Sequence, residues 1–426
     1  MQSTSPSYSS LQELIVTDQI YKDKSLTIMS FIMHLESMQS YGTPSTFLMT
    51  RPRGFGLSLL TTSLDKILKK DAEVTNKIED RGILDNIQQR HTLIIDFKKV
   101  NGRTPKEFKD SLIDTLQERF WFHHIESHIN PYLTPKVYFA RLIEELYKRH
   151  NESMVILIDN YDIPLEVAAM MEHEDNRIES TCAYLDMLNV IKYSKNKVRW
   201  ALLSGHVKFT LASEYSEGLP LIYDLSNDER YETMFGFTRK EVSSLFADKI
   251  AKFADNLNIT PDEYIDLLEQ CYGGFHFSDN LQPVMCPACI SHLMANNGLL
   301  LPYSGAGKYT FLSKYLKQHK DDLNWLYDKD GQDPLFSESI DRKLKGKQLG
   351  SLLIQLGFAT RTNVLANTDE GYTTWRYRFS FPNLDMKKTF DLITEQCPSS
   401  DLTKVLPLDI FKETKEDIEE PLKDND

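Results

Sequence analysis

The sequence predicts an α/β protein: a parallel sheet with helices on both faces, then a helical region and a helix-plus-hairpin module. Three observations predict it. Five short apolar runs (Thr46–Thr50, Thr92–Phe97, Met154–Asp159, Val198–Ser204 and Leu221–Leu225) are separated by stretches of helical periodicity. Strands alternating with helices build a parallel sheet covered on both sides. Two of these runs end in segments of unusual composition, Arg51–Ser58 and Asp159–Pro164, and ligands of such sheets bind at the carboxyl ends of the strands. After about residue 230 the alternation stops.

Residues 1–40 read as an N-terminal helical segment behind a Ser-rich start, with Leu11, Leu14, Ile15, Ile28, Phe31 and Ile32 at helical spacing. Residues 41–230 hold the five apolar runs and form the core domain. Between the runs, Phe108, Leu112, Leu116 and Phe120 make one i, i+4 stripe, and Leu142, Ile143 and Leu146 make another. Residues 231–335 read as a helical region punctuated by Gly273 and Gly274. Residues 336–395 contain a buried helix, LGSLLIQLGF, and two strands around the turn residues TDEG. Helix followed by β-hairpin is the shape of a winged-helix module. Residues 396–426 form an acidic tail.

Bulk properties exclude several classes. A chain of 426 residues is long for one core. Hydrophobic content of 41% and aromatic content of 11% suit a globular protein. A net charge of -13 argues against broad, nonspecific nucleic-acid binding. Five cysteines are too few and too odd in number for a disulfide framework, which points to a reducing compartment. No apolar run reaches membrane-spanning length and the N-terminus lacks a Sec signal pattern, so a cytoplasmic protein with no membrane partner is expected.

The segment TFLMTRPRGFGLSLL reads as strand, glycine-bearing turn and helix start. In such a turn, backbone amides at a helix N-terminus face phosphate oxygens. Gly54 and Gly56 permit close backbone approach, and Arg51 and Arg53 add positive charge. With Phe55, Leu57 and Ser58 they make up the candidate nucleotide-binding segment. MVILIDNYDIP reads as a buried strand ending in Asp159. Ser58 and Asp159 are the candidate magnesium ligands, and ATP with Mg2+ the candidate cofactors. The pattern is incomplete as a P-loop: Leu57 stands where the phosphate-binding lysine belongs, and Asn160 where a water-activating acid belongs. Taken alone, the motif also fits a strand–turn–helix that uses glycine only for its turn.

Taken together, these segments resemble the bacterial AAA-ATPase-like family of P-loop proteins, often fused to a C-terminal PD-(D/E)XK nuclease domain. The matching stretches run in register along nearly the whole chain. They are YKDKSL at Tyr21–Leu26, TRPRGFGLS at Thr50–Ser58, IIDFKKV at Ile94–Val100 and ILIDNYDIP at Ile156–Pro164. LLSG at Leu202–Gly205, MFGFTRKEV at Met234–Val242 and CYGGFHF at Cys271–Phe277 continue the series. LGSLLIQLGFAT at Leu349–Thr360 and FPNLDMKKTF at Phe381–Phe390 close it. The resemblance implies a P-loop NTPase-like fold. It also implies that Leu57 replaces the family's lysine, Asn160 its glutamate, Ser204 the threonine of LTG and Lys208 a following arginine. The chain ends about where the nuclease domain would begin. Asp159, Asp162 and Ser204 then stand as remnants of a catalytic set, with Asp162 expected to cap or brace the loop.

Other motifs compete for attention. SGAGKYT at Ser304–Thr310 mimics a phosphate loop but has Tyr309 in place of Ser/Thr. Asp96-Phe97-Lys98 with Asp85 mimics a nuclease triad, against a plain sheet strand with a solvated end. Cys286 and Cys289 form one CxxC near Cys271, His276 and His292, readable as zinc ligands or as a buried thiol pair. His124 and His128 stand at i, i+4 on an expected helix, in HxExH order. Two basic stretches, Lys98–Lys109 and Arg342–Lys347, read as solvated faces or as approaches for nucleic acid.

These readings converge on a degenerate AAA-ATPase-like protein, a pseudo-ATPase with weak or absent hydrolysis that works in regulation or through a protein partner. The alternatives are an active ATPase in which Arg51, Arg53 or Lys208 supplies the missing cation, or a nucleic-acid-binding protein acting through the winged-helix-like module.

Overall fold

The structure is a computed structural model that describes residues 24–38, 45–75, 81–126, 133–211, 219, 222–296, 298, 309, 312, 349–369 and 372–394. Helix α1 (Ser25–Ser37) precedes strand β1 (Ser45–Thr50) and helix α2 (Leu57–Leu68). Next come β2 (Thr92–Asp96), α3 (Pro105–Phe122), α4 (Pro135–His150) and β3 (Met154–Asp159). Helices α5 (Ile163–Ala169) and α6 (Glu174–Leu188), then β4 (Val198–Gly205) and β5 (Ile222–Asp224), complete the sheet layer.

The five strands pair in the order β2-β3-β4-β1-β5, all parallel. All five expected runs are strands within a residue or two of their expected bounds. The order carries the key consequence: β4 lies between β1 and β3, so the turn after β1 and the end of β3 face each other across the end of β4. Both faces of the sheet are buried, and the strand period of two decides which side chain goes where. Phe47, Met49, Val155, Leu157, Trp200 and Leu202 pack on the face covered by α1 and α2. Leu48, Ile156, Ile158, Ala201 and Leu203 pack on the other, under α3, α4 and α6.

Local chemistry fixes the helix starts. Thr104 and Thr134 each precede a proline and accept a hydrogen bond from a backbone N–H of the first turn, of Glu107 and Val137. Within the expected N-terminal helical segment, α1 covers Ser25–Ser37, and residues 1–23 lie outside the described residues. It is held to the start of the central strand β4 by Glu36, which accepts from Trp200 Nε1 at 3.0 Å and Arg199 Nε at 2.9 Å.

The helical region holds α7 (Arg239–Leu245), α8 (Ala247–Asn256), α9 (Pro261–Tyr272) and α10 (Pro287–Ala295). Capping boxes Thr238/Glu241 and Thr260/Glu263 start α7 and α9. The C-terminal elements are α11 (Leu349–Gln355), the antiparallel pair β6 (Thr360–Asp369) and β7 (Tyr372–Ser380), and α12 (Leu384–Thr394). Helix then hairpin is the order read from the sequence. The second basic stretch and residues 396–426 lie outside the described residues, as does SGAGKYT apart from Tyr309. No helix among the described residues is long and apolar enough to cross a membrane.

Candidate functional site

The turn after β1 is shaped by its glycines. Arg51 N–H donates to Gly205 O at 3.2 Å, carrying the β1–β4 pairing one step past the strand ends. Gly54 (φ +90°) and Gly56 (φ +82°) then take left-handed conformations that reverse the chain into α2. Leu60 N–H donates to Gly56 O. Among the described residues, no acceptor is found for the N–H groups of residues 54–59. Gly56 is exposed, so the positive end of the α2 dipole reaches solvent there.

Across the end of β4 stands Asp159, only 6% exposed. It accepts from Ser204 Oγ at 3.0 Å and from the N–H of its neighbour Asn160 at 3.0 Å, and the Ser58 hydroxyl is near enough to lower its pKa. Ser204 Oγ also lies 3.3 Å from Thr61 Oγ1, which ties β4 to α2. Burial raises the Asp159 pKa and the nearby Asp96 adds to the rise, while the Ser58 and Ser204 hydroxyls act against it. Asn160 is left-handed (φ +53°), a conformation asparagine tolerates well. Its Nδ2 donates to Asp96 Oδ1 at 2.8 Å, bridging the ends of β2 and β3.

The cations differ sharply. Arg51 is 1% exposed and donates to Thr50 O at 2.8 Å, Ser226 O at 2.7 Å and Tyr231 O at 3.1 Å. Its guanidinium also stacks over Phe277 at 4.3 Å and Phe235 at 4.9 Å. Lys208, 6% exposed, pairs with Asp224 at 2.7 Å. Arg53 is half-buried, and its Nε has no hydrogen-bond partner. Leu57 is 5% exposed and packs in the apolar cluster of the α2 face. Phe55, 3% exposed, meets Phe275 and Phe277 edge-on at 4.9 Å and 5.1 Å.

Asp162 is fully buried. Its Oδ2 accepts from the N–H groups of His206 at 2.7 Å and Val207 at 2.9 Å, so it braces the turn after β4. Its Oδ1 has no partner. The neighbouring Glu166 is pushed up to about 8, chiefly by burial and then by the Asp162 charge, with Arg53 opposing. Gly205 is obligatory here, because a Cβ would lie 2.4 Å from Asp162 Oδ1.

The competing motifs resolve against the same frame. Among the described residues, no group of three His, Cys, Asp or Glu side chains could hold a metal. That speaks against the zinc reading of the CxxC pair. Asp85 is exposed on a separate short helix, and Asp96 is engaged by Asn160. His124 does not continue a helix: α3 ends at Phe122, and His124 sits beyond it at φ +51°, while residue 128 lies outside the described residues. In the first basic stretch, Lys99 pairs with Glu118 and Lys109 with Glu179. Sequence reasoning named Ser204 and Asp159 but missed Thr61, which carries no motif of its own.

Known proteins resemble this chain to different degrees. A family model described as a predicted AAA-ATPase matches residues 7–213. A curated protein of Azotobacter chroococcum mcd 1, "Uncharacterized protein in vnfD 5'region", is 23% identical over 347 residues, which are 81% of this chain and 62% of that protein. The chain therefore spans less than two thirds of that relative's length. A chain in the structure of Drosophila ORC bound to DNA matches with 9% identity and a TM-score of 0.32, over 92% of this chain and 95% of its own.

Proposed function

We propose that this chain, whose residues 7–213 match the predicted AAA-ATPase family model, is a degenerate member that keeps a polyphosphate cradle and has lost the groups that drive hydrolysis. It then works in regulation or through a protein partner, with the former nucleotide cleft as a hinge or ligand sensor. One observation carries the reading: Ser58 and Asp159 lie near each other beside backbone amides with no acceptor among the described residues, while Leu57 is packed in the core and Asn160 is bound to Asp96.

The oxygen donors fit a magnesium ion, a hydroxyl from Ser58 and a carboxylate from Asp159. Bound there, the ion supplies charge neutralisation for phosphate oxygens. The amides of residues 54–59 would orient the phosphates. No ammonium extends from position 57, and the Asn160 amide cannot take a proton from water. Losing such groups costs orders of magnitude in rate, because phosphoryl transfer is catalysed mainly by electrostatic positioning.

The test is calorimetric titration with Mg-ATP beside a phosphate-release assay. Weak binding is expected, with phosphate release no faster than in Asp159→Ala. Sustained release that disappears in Asp159→Ala would overturn the reading. One observation favours a second reading, an active ATPase with a relocated cation. Arg51 and Lys208 are spent on protein partners, but Arg53 Nε lacks one. Phosphate release abolished by Arg53→Met would support it.

A further inference from the structure

We propose that Cys286 and Cys289 are a peroxide-reactive dithiol whose closure to a disulfide resets the glycine turn at Gly54. Cys286 is the N-cap of the nine-residue helix α10, and Cys289 lies in its first turn. The Cys289 side chain is close enough to favour the Cys286 thiolate. Their spacing at a helix start brings the Cα atoms into the range a disulfide needs. Neither cysteine is in a disulfide in the structure.

The pair sits directly on the turn. Cys286 Sγ is 3.8 Å from Gly54 O, and Ala288 N–H donates to the same carbonyl at 3.2 Å. A Cβ added to Gly54 would lie 2.9 Å from Cys286 Sγ, so there is no slack between sulfur and turn. A cavity of about 60 Å³ opens beside the thiols and is also lined by Arg53, Gly54, Tyr309 and Thr389. Thr389 is 2% exposed and its hydroxyl has no partner. That volume admits several water-sized molecules, and the Thr389 hydroxyl and Arg53 guanidinium supply donors for a small oxygen compound.

The environment makes the two ends unequal. Hydrogen bonds from the Cys289 thiol, then from the amides of residues 289 and 288, outweigh burial and lower the Cys286 pKa. At Cys271 burial dominates, and the thiol is pushed up to about 11. The reaction balances with hydrogen peroxide as the oxidant. The Cys286 thiolate attacks one peroxide oxygen, the O–O bond breaks, hydroxide leaves, and a sulfenic acid forms on Cys286. The Cys289 sulfur then attacks Cys286 and releases water, completing a two-electron oxidation. Bond formation draws the Cys286 sulfur toward Cys289 and away from Gly54 O. The chemical step is independent of the proposed nucleotide reading, and only its effect on ligand binding rests on it.

The experiment treats the reduced, full-length protein with hydrogen peroxide and maps peptides by mass spectrometry without reduction. The expected product is a Cys286–Cys289 disulfide formed before Cys182 is oxidised and reversed by a dithiol reductant. In Cys289→Ser, a dimedone adduct should accumulate on Cys286 instead. Hydrogen exchange of the peptide spanning residues 53–59 should change about tenfold on oxidation. Wild-type protein that retains both thiols while Cys182 oxidises would overturn the proposal. A disulfide that forms with unchanged exchange in that peptide would overturn the coupling to the turn, whatever the outcome of nucleotide titrations.

Discussion

Arg51 and Arg53 are two residues apart and offer a direct contrast between a structural cation and one proposed to meet a ligand. Arg51→Met removes three hydrogen bonds to carbonyls and two ring contacts. Each charged hydrogen bond contributes about 1.5–3 kcal/mol net, and each ring contact about 0.5–2 kcal/mol. Against this stands the cost of burying the cation, several kcal/mol, which also lowers the Arg51 pKa despite Asp224. Methionine relieves that cost but strands the carbonyls of Ser226 and Tyr231. The expected net loss is about 3–5 kcal/mol. Arg53→Met breaks no hydrogen bond or ion pair among the described residues, so its expected loss is under about 1 kcal/mol. Urea unfolding measures both. Titration with tripolyphosphate should then show affinity lost in Arg53→Met and kept in Arg51→Met at temperatures where that variant is folded. A stable Arg51→Met with no phosphate affinity, beside an unaffected Arg53→Met, would refute this division of labour.

Three further outcomes follow from the same geometry. Leu57→Lys with Asn160→Glu should raise Mg-ATP affinity at least about tenfold, while exposing a leucine site worth about 1.5–3 kcal/mol and placing glutamate at φ +53° for about 1–2 kcal/mol. A folded double variant with no gain by calorimetry would mean the loop itself has drifted. Gly205→Ala should lower stability by about 2–3 kcal/mol through overlap with Asp162 and Tyr161; a wild-type melting temperature would contradict the packing described. Burial alone would raise the Glu36 pKa, but bonds from Trp200 and Arg199 and the charge of Arg90 leave it lowered. Its contribution is therefore present above the ordinary carboxylate pKa and lost as pH falls through the lowered folded value. Urea midpoints of wild type and Glu36→Gln, compared from about pH 7 to about pH 3, should converge at the acid end.

The sheet was legible because its strands are buried on both faces and so read as short apolar runs between helical stripes. That Ser58 and Asp159 lie near each other was legible because the carboxyl ends of strands in a parallel sheet converge. The fate of the charges was not. Arg51 looks like a phosphate ligand in sequence, yet its partners Ser226, Tyr231, Phe235 and Phe277 lie far along the chain, and nothing local announces them. Lys208 is likewise fixed by Asp224 through a pairing no spacing rule reveals. HxExH failed for a local reason, since α3 stops before it at Phe122.

The last elements of the chain rest on its first turn. A Cβ on Gly357 would come within 2.9 Å of Pro52, Gln355 Oε1 accepts from Lys208 N–H at 2.8 Å, and Thr360 Oγ1 accepts from His276 N–H at 3.0 Å. Close-packed neighbours transmit displacement rather than absorb it. A shift of Pro52 is therefore felt by α11 and the start of the hairpin, some three hundred residues downstream, without passing through the sheet. Cutting the chain ahead of α11 would strip these contacts from Pro52, Lys208 and His276 together.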